Sequence, residues 1–210
     1  MTLLLSTEAQ TGSLLPARPE LGEARLRVFE AAIALFGAKS YDSVSVRDLA
    51  NALGMAPGGI YAHVPSKQHL LFELVRIGHE EHRDRLKEAL LGAGPSPQDQ
   101  LGALTRAHVT VHLEYSALAR VTNREARALG EDQLAVVLQV RAESEQMFLD
   151  VIDRGVRLGA FDDAQPRLAV LAIAAMGVRA AEWWTPDYPT SVTEIADTYA
   201  EYALRLLRKG

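Results

Sequence analysis

The sequence predicts an all-α protein in two parts, a small N-terminal three-helix helix-turn-helix unit followed by a larger C-terminal helical bundle. Three observations predict it. Apolar residues recur three and four apart over most of the chain, and no stretch of any length alternates as a strand does. Residues 45–67, SVRDLANALGMAPGGIYAHVPSK, set a capping box, a glycine stop and a proline start at the spacing of two helices joined by a tight turn. A long helical stretch from Ser66 then breaks at GAGPSP, residues 92–97, where the bundle proper begins.

Taken in order, residues 1–20 read as a flexible arm, with a short apolar patch, no basic leader and one cation, Arg18. From Glu23, Val28, Phe29, Ala32, Ile33 and Phe36 make one apolar stripe, and this first helix ends near residues 37–40. Ser45 and Asp48 have capping-box spacing, so the next helix starts at Val46, with Val46, Leu49, Ala50 and Leu53 on its buried face. Gly54 ends it, because a residue without a Cβ takes the left-handed turn at low cost. Pro57 suits the first turn of a third helix, 57–63, which stops before Pro65 because proline disfavours helical geometry at Val64. Ser66 caps a fourth helix that runs to about Leu91 and, at about 1.5 Å per residue, extends well past the small unit.

The rest reads as helices over 98–119, 120–129, 131–158, 166–184 and 192–208. Leu134, Val137, Leu138, Phe148, Val151, Ile152 and Val156 mark the longest of them, which ends at LGAFDD, and Ser191 with Glu194 forms a second capping box. The chain therefore divides into an arm (1–20), a helix-turn-helix domain (21–68) and a ligand-binding and dimerisation domain (69–210).

A helix-turn-helix sets its second helix in the DNA major groove, and the residues of 57–67 suit that use. Gly58 and Gly59 each cost about 1 kcal/mol of helix stability relative to Ala, but they let the backbone approach a duplex closely. Pro57 opens the helix, and Tyr61, His63 and Lys67 bring a hydroxyl, a polar ring and a cation for phosphate oxygens. Arg47 lies on the preceding helix, and Arg18, Arg25 and Arg27 are further cations within reach of phosphate or simply solvated. A formal net charge of -5 excludes a broad polybasic surface, so DNA contact is local and made by a few placed groups in a dimer.

Composition bounds the remainder. With 210 residues, 48% of them hydrophobic, the chain supports a second core, and no apolar run is long enough to span a bilayer. The absence of Cys removes disulfide and thiol chemistry and fits a reducing cytoplasm. There is no nucleophile with a base, no paired carboxylates and no phosphate-cradling loop, since APGG lacks the Lys and Ser/Thr of a P-loop. Neither an enzyme nor a cofactor is expected.

Residues 29–71 resemble the DNA-binding domain of the TetR family of bacterial transcriptional regulators, through AAIALF, then Tyr41, then SVRDLANALGMAPGGIYAHVPSKQHLL. The resemblance implies a recognition helix at 57–63, a phosphate-contacting helix opening near Lys67, palindromic double-stranded operator DNA as partner, and a homodimer. Ser40 stands where Gly often precedes the Tyr, Ala56 where Ser or Thr usually caps the recognition helix, and Val64 where Phe is usual.

The bundle carries the effector question. Residues 123–133, NREARALGEDQ, with Arg124 and Arg127, then Arg141, then MGVRAAEWWTPD with Arg179, Trp183 and Trp184, are similar to the acyl-CoA-responsive branch of that family, which controls fatty-acid, sterol or related catabolic genes. An acyl-CoA needs an apolar channel and cations for its phosphates, and Arg donates to phosphate in pairs. The same Arg residues can instead pair with Glu125, Glu143, Glu145 or Glu182. The helix at 167–184, apolar nearly all round, and Ile195, Tyr199, Ala203, Leu206 and Leu207 on the last helix are expected to make the dimer. Two other readings stay open: a helical ligand-binding protein without DNA function, and a metal-responsive regulator using His79 with His82 and His108 with His112, spaced three and four apart. Without HExxH or Cys, and with nothing in the spacing to bring the pairs together, no metal site is assigned.

Overall fold

The computed structural model describes residues 14–162 and 165–208, and these fold into helices and turns without a strand. Local signals set the N-terminal unit. α1 (Glu23–Lys39) buries Val28, Phe29, Ala32, Ile33 and Phe36, as their spacing predicts. α2 (Val46–Leu53) opens at the capping box, with the Ser45 hydroxyl accepting from the Asp48 N–H and the Asp48 carboxylate accepting from the Ser45 N–H at 2.7 Å. It closes at Gly54, whose φ of 65° and ψ of 31° are left-handed. α3 (Pro57–Ile60) is one turn, shorter than the predicted 57–63. Past Ile60 the backbone tightens, with the Ala62 N–H donating to the Gly59 carbonyl and the His63 N–H to the Ile60 carbonyl. Two glycines on one side and Pro65 on the other leave too little propensity for a longer α-helix. α4 (Lys67–Gly92) is capped by Ser66, whose hydroxyl accepts from the His69 N–H.

The bundle comprises α5 (Pro97–Glu114), α6 (Ser116–Glu125), a 3₁₀ turn at Ala126–Ala128, α7 (Glu131–Arg157), α8 (Pro166–Trp183) and α9 (Val192–Leu206). The helix expected over 98–119 breaks early, at Tyr115, where φ of -113° and ψ of 44° leave helical geometry without a Gly or Pro to announce it. The predicted capping box of Ser191 and Glu194 forms at the head of α9.

One core joins the small unit to the bundle. Phe29, Ile33, Phe36, Leu49, Ile60, Leu70 and Leu74 pack together with Leu118 and Val121 of α6 and Val137 of α7. A second core joins Leu86 of α4 to Leu101, Leu104, Phe148, Ile152, Ile173 and Leu207. The boundary drawn between residues 68 and 69 thus falls inside α4, a single helix shared by both cores.

The N-terminal segment differs from expectation where it is described. Leu15 is buried in the first core, and Arg18 lies 3.6 Å from Glu81 and donates to the Ile77 carbonyl, so residues 14–18 strap across α4 rather than extending toward DNA. The remainder of the predicted arm, residues 1–13, lies outside the described residues. Arg25 is also turned inward, lying over the Phe29 ring and 3.8 Å from Glu73.

Candidate functional site

The turn between α2 and α4 presents a small exposed surface on a rigid base. Ile60 and Val64 are anchored in the core, which turns Pro57, Gly58 and Tyr61 outward; Tyr61 is 53% exposed. Arg47 is exposed on α2, while Gly59 and His63 are half-buried. Lys67, expected at phosphate, is half-buried and makes contacts within the unit. Its Nζ donates to the Tyr41 carbonyl at 2.9 Å and the Val44 carbonyl at 2.8 Å, and lies 3.9 Å from the centre of the Tyr41 ring. The ammonium therefore ties the loop before α2 to the head of α4.

A cavity of about 170 Å³ lies in the bundle, with lining from α4, α5, α6, α7 and α8. Leu118, Phe148, Val170 and Val178 supply apolar wall, and Asn123 and Arg141 supply polar groups. Four imidazoles converge on it: His79 and His82 from α4, and His108 and His112 from α5. His82 Nε2 lies 2.8 Å from His108 Nδ1, His108 Nε2 lies 3.1 Å from the Ala174 carbonyl, and His112 Nδ1 lies 2.8 Å from the His108 carbonyl. Carbonyls only accept, so His108 carries its proton on Nε2 and His112 on Nδ1. Nδ1 of His108 then accepts from His82 Nε2–H.

Burial makes these rings poor bases. It lowers the pKa of His79 to about 3, with Arg141 and then His112 adding to the effect. Burial lowers His108 to about 3, with His112 adding, and His112 to about 4. His82 is pushed well below the usual imidazole range by burial and by its three neighbouring rings and Arg141. The pocket thus offers neutral hydrogen-bonding rings in an apolar wall at neutral pH. Gly177 makes the arrangement fit, because a Cβ there would lie 2.4 Å from His108 Nε2.

Of the bundle residues singled out by sequence, Arg141 lines this cavity. Arg124 forms a forked ion pair with Glu182, Arg127 and Arg179 are exposed away from the lining, and Trp183 packs at 5.0 Å against Tyr188. Trp184 sits with the small cluster around Ile195, outside the lining as well. The histidine cluster was the feature that spacing alone left undetermined. Each pair lies on one helical face, but their meeting depends on how α4 docks against α5.

The cavity and the exposed turn share two helices. α4 lines the cavity through His79 and His82, and its first turns carry Leu70, Leu71 and Leu74 into the core under α2 and α3. α6 lines it through Leu118, Thr122 and Asn123, while Val121 on the same helix packs into the α1 core.

Comparison with known proteins agrees with this architecture. Residues 28–74 match the family model described as bacterial regulatory proteins, tetR family, and residues 94–207 match that of the tetracyclin repressor-like C-terminal domain. The HTH-type transcriptional repressor KstR2 of Rhodococcus jostii is 23% identical over 182 residues, covering 86% of this chain and 89% of that protein. A tetR-family bacterial regulatory protein from Rhodococcus RHA1 superposes with a TM-score of 0.81 at 30% identity, covering 88% of this chain and 97% of that one. AibR in complex with isovaleryl coenzyme A and operator DNA superposes with a TM-score of 0.76 at 19% identity, covering 86% and 97%. An N-terminal helix-turn-helix with its capped turn exposed, a helical body enclosing a cavity, and matches to models of both halves place the chain in the TetR family of bacterial transcriptional regulators.

Proposed function

We propose that the chain is a homodimeric repressor that leaves a palindromic operator when an acyl-CoA or a similar amphipathic molecule enters the bundle. The observation that carries this reading is the double use of α4 and α6, each with residues in the cavity and residues in the core beneath α2 and α3. A ligand that moves either helix moves the reading head with it.

The cavity suits the effector's apolar end. Its volume accommodates a small acyl group, and a nucleotide is far larger, so the coenzyme's phosphates stay at the mouth, where exposed Arg141 is placed to donate to them. The likeness to KstR2 repressors supports repression, and the likeness to AibR, whose structure holds isovaleryl coenzyme A and operator DNA, supports the effector class. Dimerisation is supported by apolar faces on α8 and α9 that nothing in the described chain covers. Leu168 and Leu171 are 58% and 60% exposed, and Tyr202 and Leu206 are 45% and 48% exposed. Part of the stripe expected to make the dimer faces inward instead: Ile195, Ala203 and Leu207 are buried in the chain's own core.

Release requires that the ligand bind the DNA-free form more tightly than the DNA-bound form. The test is to incubate the protein with DNA from upstream of its own and neighbouring genes and then add a panel of acyl-CoAs. Salt-sensitive retention of one fragment, reversed by one acyl class, is expected; retention of no fragment, or retention that no acyl-CoA reverses, contradicts the proposal.

A further inference from the structure

We propose that His82, His108 and His112 form a three-imidazole site for a divalent first-row transition metal, zinc above all, in the cavity wall with its fourth coordination position open to the cavity. One nitrogen from each of these rings lies within 4.8 Å of one from each of the others. The inference does not depend on DNA binding or on the identity of the effector.

The tautomers favour the assignment. A metal-bound histidine typically donates its other ring N–H to a carbonyl or carboxylate, which fixes the ring and leaves the ligating lone pair aimed at the metal. His108 donates from Nε2 to the Ala174 carbonyl and His112 from Nδ1 to the His108 carbonyl, so the lone pair on Nε2 of His112 is unprotonated and that on Nδ1 of His108 is engaged only by the His82 N–H. His82 completes the set by moving its proton from Nε2 to Nδ1, which keeps all three rings neutral and frees Nε2. Tetrahedral nitrogens about 2.0–2.1 Å from zinc are about 3.3 Å apart, so His82 Nε2 and His108 Nδ1, at 2.8 Å, part by about 0.5 Å, while the other separations, all within 4.8 Å, close by at most about 1.5 Å.

Three nitrogen donors with an open fourth position is a zinc arrangement, and imidazole also suits copper and nickel. Glu81 and Glu145 line the same cavity as Arg141 and help to offset the charge of the cation. The open position faces the space an effector would occupy, so an oxygen or sulfur of that molecule, or a water, supplies the last ligand.

The test uses the full chain after dialysis against a chelator. Cobalt(II) is titrated in while visible absorption is recorded, and zinc is then added in competition. One equivalent per chain is expected, with the intense band of a tetrahedral site that zinc removes. His82→Gln and His112→Gln should each weaken binding on the order of 100-fold or more, since even an outer partner of a ligand is worth about 10- to 100-fold. His69→Gln should leave affinity unchanged. A measurement without variants covers the case in which they fail to fold: cobalt-loaded wild type should show three paramagnetically shifted ring N–H resonances, two of them slow to exchange because they donate to backbone carbonyls. No band at stoichiometric cobalt, no shifted ring protons, or folded His82→Gln and His112→Gln proteins binding as wild type does would overturn the assignment.

Discussion

At Ser40 the chain takes φ 68° and ψ 156°, a backbone region that is essentially glycine's alone. The turn links α1 to Tyr41, which packs edge-on against Phe36 at 5.3 Å, so its shape is imposed by the core rather than by the serine. Ser40→Gly should therefore raise stability by about 1 kcal/mol, read as a higher denaturation midpoint with unchanged slope, because relieved strain outweighs glycine's extra unfolded-state freedom. Two residues of the reading head should separate positioning from contact. Lys67→Met removes two charge-assisted bonds to carbonyls and should cost about 2 kcal/mol of stability together with operator affinity. Exposed Tyr61→Phe should leave the melting temperature unchanged and weaken operator binding about fivefold, the value of one hydrogen bond. The buried imidazoles make a third case. Their folded pKa values lie below the unfolded value of about 6.5, so below that pH the unfolded chain binds protons that the folded chain refuses. The groups facing one another are His79, His82 and Glu81 of α4, His108 and His112 of α5, and Arg141 and Glu145 of α7. Stability of metal-free protein should be full above about pH 6.5 and fall toward pH 4, by about 1 kcal/mol per buried ring between pH 7.5 and 5.5 in denaturant titrations.

Single elements differ in how far their sequences reveal them. α2 was legible because its start and stop are local: Ser45, Asp48 and Gly54 satisfy backbone groups within their own turn whatever packs above them. The same holds for the Ser191 box at α9. α3 was legible in place but not in length, since its two glycines make the balance between α and tighter turns depend on the anchors Ile60 and Val64. The break at Tyr115 carries no Gly or Pro and follows from how α5 and α6 pack, so periodicity reads across it. The pocket was the least legible element. Arg124 meets Glu182 fifty-eight residues away, and the two histidine pairs meet only because α4 docks on α5, with Gly177 leaving room for the His108 ring. Such contacts between helices depend on docking register, which helical spacing within one helix does not specify.

The whole molecule is a reading head and a body sharing one core, presented as half of a pair. If the exposed faces of α8 and α9 pair, a charge placed there should split the assembly without unfolding the chain. Leu168→Glu should run as a monomer in light scattering, retain wild-type helicity and lose most operator affinity, because two linked heads engage matched half-sites and one does not. Coupling between head and body has a stricter signature. Whatever factor the effector takes from operator affinity, the operator must take from effector affinity, since the two binding events share one cycle. The most direct measurement is calorimetric titration of the releasing acyl-CoA into the protein with and without saturating operator duplex. The account predicts weaker acyl-CoA binding on DNA, by the same factor that acyl-CoA weakens DNA binding. Acyl-CoA binding of equal affinity to the free and the operator-bound protein would contradict it.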